Sequence, residues 1–113
     1  MAQVDIKTEE VCKTEDFEIW KAYEPDEEVT YHIELGRITI HFFKEEWEEF
    51  LDFSKEFLDI PLGTTGVLAE SQTYLATCEE LNGDIIYSIE MPEATLYFTE
   101  DDWKQFIELL KEL

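Results

Sequence analysis

Tyr31, Ile33 and Leu35 alternate with His32 and Glu34, the two-residue period of a strand with one buried face. Gly36-Arg37 interrupts the pattern, and Ile38, Ile40 and Phe42 resume it against Thr39 and His41. The segment reads as a hairpin closed by a two-residue turn, with Ile33 facing Ile40 and Tyr31 facing Phe42 on the core side. A second alternation follows later. Met91 and Ala94 flank Pro92-Glu93, so that Ile89 faces Leu96, and Asn82-Gly83 is a strong hairpin turn joining predicted strands over residues 73–80 and 85–91. Its register sets Tyr74, Ala76 and Cys78 beside Met91, Ile89 and Tyr87.

The period then changes to that of a helix. Trp47, Phe50, Leu51 and Ser54 recur at helical spacing, as do Trp103, Phe106, Ile107 and Leu110, and both stripes are expected to pack on a sheet. Thr99 followed by Asp102 predicts a capped N-terminus for the second helix, with Glu100, Asp101 and Asp102 favoured by the helix dipole. The first helix has Phe43 at the cap position and should begin less firmly. Phe53 and Phe57 lie off the Trp47 stripe and would widen a contact surface.

These patterns repeat at one offset. Residues 31–57 and 87–113, set 56 positions apart without a gap, are identical at nine of 27 places, including Tyr31/Tyr87, Ile33/Ile89, Phe42/Phe98, Trp47/Trp103 and Phe50/Phe106. The fold expected is α+β: internally duplicated β-β-β-α units, about six antiparallel strands and two helices, with pseudo-two-fold symmetry. Residues 1–113 read as a single domain, with units over about 15–57 and 73–113 joined by a connection over 59–72. Short strands over 67–69 and 4–6 would extend the sheets. Carrying the second unit's first strand back by 56 places Trp20 and Ala22 beside Ile33 and Tyr31, across a turn Glu24-Pro25-Asp26-Glu27. That register leaves Phe17, Ile19, Tyr23, His32, His41 and Phe43 on the outer face, an aromatic patch where the second unit has Thr73, Leu75, Thr77, Ser88, Tyr97 and Thr99.

Composition narrows the function. The chain carries 29 acidic and 8 basic residues, a net charge of −21, spread through both halves. Such a surface repels phosphate backbones and anionic lipid and attracts cations and basic proteins. A 44% hydrophobic content with eight Phe, five Tyr and three Trp nevertheless supplies a core and argues against disorder. Two lone cysteines, Cys12 and Cys78, and the lack of a signal peptide or transmembrane stretch lead to the expectation of a cytoplasmic protein with reduced thiols and no membrane partner.

Candidate chemistry is sparse. His32, His41 and Glu34 share a predicted outer face and form a weak metal candidate, but exposed histidines in a sheet are more often unliganded. The carboxylate clusters around Glu45, Glu46, Glu48 and Glu49 and around Glu100 sit at helix starts, where acids stabilise the helix, and lack the ligand alternation of a calcium loop. Gly63-Thr64-Thr65-Gly66 lacks the lysine of a phosphate loop, and no nucleophile motif is present. No catalytic residue, cofactor or metal is assigned.

The reading that follows is a non-catalytic acidic domain that engages a basic protein surface, as inhibitors, immunity proteins and DNA mimics do. Phe17, Ile19, Tyr23, His32, His41, Phe43, Glu45, Glu46 and Glu49 are its candidate contact residues, with a homodimer contact at Phe17 and Ile19 as a further candidate. Tandem units of strands followed by one helix are also similar, in topology, to PUR-type single-stranded-DNA-binding repeats. That resemblance implies a nucleic-acid-binding alternative, which the charge disfavours. Metal or small-molecule binding at His32 and His41 is the remaining alternative.

Overall fold

The computed structural model describes residues 7–113, so the strand expected over 4–6 lies outside the described residues. Its order is β1 (Lys7–Lys13), β2 (Phe17–Tyr23), β3 (Val29–Leu35), β4 (Ile38–Phe43), α1 (Lys44–Ser54), β5 (Gly66–Glu70), β6 (Leu75–Leu81), β7 (Asp84–Glu90), β8 (Thr95–Thr99) and α2 (Glu100–Lys111). The protein is α+β, with two four-stranded antiparallel sheets, β1-β2-β3-β4 and β5-β6-β7-β8, each leading into a helix. There are eight strands rather than about six, because β1 and β5 add an outer strand to each expected meander.

The tight turns fix three hairpins as the sequence pattern requires. Ile33 pairs with Ile40 and Tyr31 with Phe42; Ala76 pairs with Ile89; Ile89 pairs with Leu96. At Asn82-Gly83 both residues have positive φ, 53° and 87°, which matches the right-handed strand twist. The β2–β3 hairpin departs from expectation. Glu24 N–H donates to Glu28 O at 2.8 Å and Glu27 N–H to Glu24 O at 3.0 Å, with Glu27 at φ 70°. The loop therefore holds three residues ending in a left-handed one, not four. Losing one loop residue slips the register by one and turns every β2 side chain to the opposite face. Ile19 pairs with Ile33, and Trp20 with His32. Phe17 and Ile19 are thus core residues, 7% and 0% exposed, and Trp20 takes the outer face assigned to them.

Both helices bury their tryptophan stripes against their own sheets, in matching ways. Tyr31 stacks on Trp47 at 4.9 Å and Tyr87 on Trp103 at 4.6 Å. Phe42 lies 5.0 Å from Phe50, and Phe98 5.0 Å from Phe106. Each helix also reaches across to the other half: α1 touches β5, and α2 touches β2. Phe50 and Phe53 meet Tyr74, Phe57 meets Trp103, and Cys12 Sγ–H donates to the carbonyl of Leu109 at 3.4 Å. Gln105 ties to the β1–β2 corner through Asp16 and Thr14. Phe53 and Phe57, expected to widen a surface, are buried in this seam. One hydrophobic core runs through both halves.

The caps differ as the residues dictate. Thr99 Oγ1 accepts from Asp102 N–H at 3.1 Å. Phe43 has no side-chain acceptor, but its own N–H donates to Glu46 Oε1 at 2.9 Å, which satisfies one backbone donor at the start of α1.

Candidate functional site

On the outer face of the first sheet, antiparallel pairing lines up Glu10, Trp20, His32 and His41 across four strands. The indole of Trp20 stacks on His32 with centroids 3.9 Å apart and planes 8° from parallel. His41 meets the same imidazole edge-on at 4.3 Å and 83°. His32 is only 5% exposed, so the histidines are not the exposed pair the alternation predicts. One ring is enclosed and the other is open to water.

Hydrogen bonding assigns the state of the enclosed ring. Thr30 Oγ1 lies 3.2 Å from Glu24 Oε1 and 3.0 Å from His32 Nε2. The hydroxyl has one proton, and the carboxylate can only accept, so Thr30 donates to Glu24 and accepts from Nε2–H. The Nε2–H tautomer leaves Nδ1 a bare acceptor, and Nδ1 is buried without a partner. Burial first, and the neighbouring His41 second, push the pKa of His32 down, while Glu24 and Glu34 pull it up. The ring is held neutral.

The remaining predicted contact residues divide. His41 is exposed, and Phe43 is 62% exposed at the end of β4. Glu45, Glu46 and Glu49 are exposed on α1. Tyr23 points to the opposite face from His32, where its hydroxyl donates to Glu9 at 3.0 Å beside Lys21. Phe17 and Ile19, being in the core, offer no homodimer contact. Sequence reasoning missed Trp20, because its face depends on the length of the β2–β3 loop, which the residues Pro25-Asp26-Glu27 do not announce. Glu34 lies along the strand from His32, opposite Thr39 and Glu18. Among the described residues, no group of three or more His, Cys, Asp or Glu side chains is arranged to hold a metal ion.

The corresponding row of the second sheet is Val67, Thr77, Ser88 and Tyr97, with the Thr77 and Ser88 hydroxyls 2.7 Å apart. Val67 is 65% and Tyr97 74% exposed. Neither row brings a nucleophile to a base. Cys12 and Cys78 are buried on the core side, and burial raises both thiols' pKa, so they are not poised as thiolates.

Carboxylates dominate the surface. Four ion pairs, at 3.3–3.9 Å, engage Glu10, Glu9, Asp52 and Asp59 among the described residues, out of 29 acidic residues in the chain. Nearly all the negative charge remains in water. Among the described residues no helix is long and apolar enough to cross a membrane.

The fold and surface define an acidic α+β protein of two four-stranded sheets and two helices. No protein-family model matches the chain, and neither a curated protein nor a solved structure matches it.

Proposed function

We propose that this is a non-catalytic acidic protein that binds a basic partner surface, in the manner of an inhibitor, an immunity protein or a DNA mimic. The observation that carries the reading is charge on an extended body. The molecule measures 57 × 30 × 23 Å. Its radius of gyration is 15.4 Å, against about 13 Å for a compact chain of this length. A net charge of −21 along 57 Å is one negative charge per about 3 Å. Nucleic acid has one per 3.4 Å on a single strand and one per about 1.7 Å on a duplex. A basic surface made for a phosphate backbone thus meets a comparable line of carboxylates, with Phe43 and the Trp20–His41 row as apolar anchors.

We also read the two halves as copies of one ancestral unit related by a pseudo-two-fold axis. The nine shared identities and the paired Tyr–Trp and Phe–Phe contacts support this.

Calorimetric titration against a panel of basic nucleases and DNA-binding proteins, repeated over a range of salt concentrations, tests the binding role. Tight binding at low salt that weakens steeply as salt rises is expected. Failure to bind any member, or affinity indifferent to salt, refutes it. The second reading, single-stranded nucleic-acid binding, is favoured by aromatic rings on a sheet face. It lacks basic tracks, and a low-salt gel shift with single-stranded DNA should show no retarded band.

A further inference from the structure

Open sheets leave edges, and the outer edges here are treated differently. β1 is interrupted by a bulge at Val11 and carries Lys7, Glu9, Glu10 and Lys13; β5 has a bulge at Leu68. Bulges and charges of this kind stop an edge from pairing with another chain. β4 has neither. It reads Ile-Thr-Ile-His-Phe-Phe, without charge, proline or glycine, and pairs with β3 without interruption. Ile38 is 52% and Phe43 62% exposed. The open edge β8 shares the lack of charge but presents one large exposed side chain, Tyr97.

The backbone of β4 is available as well. A two-residue turn makes Leu35 and Ile38 a hydrogen-bonded pair, so alternation assigns Ile40 and Phe42 to β3 and aims the N–H and C=O of Thr39 and His41 at the open side. The Phe43 N–H is taken by Glu46. No other described backbone group bonds to this side of the strand.

We propose that the open edge of β4 receives an extended, lysine- or arginine-bearing segment of a basic protein as a fifth strand of the first sheet. This rests on the basic-partner reading above and names the place and the mode. Main-chain hydrogen bonds at Thr39 and His41 supply the register. Phe43 and His41 flank the added strand on its outer face, with carboxylates at both ends: Glu34 near the turn, Glu45 and Glu46 at the start of α1. A second copy of this chain fits the edge less well, since pairing two β4 strands brings two bodies of charge −21 together with their α1 acidic ends.

The test uses the full chain and a synthetic peptide of alternating lysine and valine. At low salt the peptide should bind, and the amides of Thr39 and His41 should exchange with solvent about tenfold more slowly by NMR. Thr39→Pro removes one outward donor and blocks approach of a strand; it should weaken binding about tenfold or more. Thr95→Pro, the same change on β8, should leave binding intact, and the wild-type exchange data stand even if either variant misfolds. Salt-dependent binding with unchanged exchange at Thr39 and His41 overturns the edge while leaving the basic-partner reading in place. Absence of peptide binding also overturns the edge, and if no basic protein in the panel binds either, both readings fall. Protection of the same amides by concentration-dependent dimerisation of the protein alone assigns the edge to a second copy and overturns the proposal.

Discussion

At the scale of single residues, His32 is the most constrained polar group. Its Nε2–H is satisfied by Thr30, its faces by Trp20 and His41, and its Nδ1 by nothing. A buried acceptor without a donor costs about 1–3 kcal/mol. The same burial makes stability rise with pH across the range in which the ring titrates. The folded pKa lies below the ordinary value, so the unfolded chain takes up the proton first as pH falls through about 6.5. The contribution of neutral His32 to stability is complete above that pH and is lost as pH drops toward the folded value. His32→Phe keeps a ring against Trp20 and removes both the orphan and the titration. Its urea midpoint should exceed that of the wild type, and the margin should be wider at pH 5 than at pH 7.5. A margin independent of pH contradicts this account of the ring.

Among elements, the two helix starts form a natural comparison. Thr99→Ala removes a side-chain cap and should cost about 1 kcal/mol in urea unfolding, whereas Phe43→Thr adds a cap to α1 and should gain a similar or smaller amount. Equal effects of opposite sign would show that Glu46 contributes little to holding the first turn. Truncating a stripe residue acts on a larger scale: Trp47→Ala or Trp103→Ala should each lose about 3–5 kcal/mol, because each indole stacks on a tyrosine and abuts phenylalanines, two around Trp47 and three around Trp103. These helices and the three short-turn hairpins were legible because each depends on residues close in sequence. The placement of β2 was not. Its face hangs on whether the loop after Tyr23 holds three residues or four, and a positive φ at Glu27, a residue with no special liking for it, gives no compositional warning. That single residue moved Ile19 into the core and Trp20 onto the face that carries the candidate site. Of the outer strands, β5 was expected over 67–69, whereas β1 escaped notice for a related reason, since the bulge at Val11 breaks the alternation by which a strand is recognised.

For the whole molecule, charge is the dominant property and was fully visible in the composition; shape was not. The surface area of 7628 Å² exceeds the roughly 6,500 Å² expected for a compact body of 13.4 kDa, as an elongated form requires. Self-repulsion among so many unpaired carboxylates lowers the melting temperature at low ionic strength. Adding sodium chloride should raise it steadily before the effect levels off, and a melting temperature unchanged by salt would show that the acids are spaced too widely to feel one another.

The crossing of the helices has its own consequence. Because α2 clasps the β1–β2 corner through Cys12 and Gln105, while Phe53 and Phe57 of the first half are seated among residues of the second, neither half owns a complete interior. A protease site placed in the stretch between Leu62 and Gly66 would sever the covalent link without dismantling the architecture. The nicked protein should travel through gel filtration as one species and come apart in denaturant. Its melting temperature would then depend on how much of it is in the tube, the behaviour of a split protein whose pieces find each other.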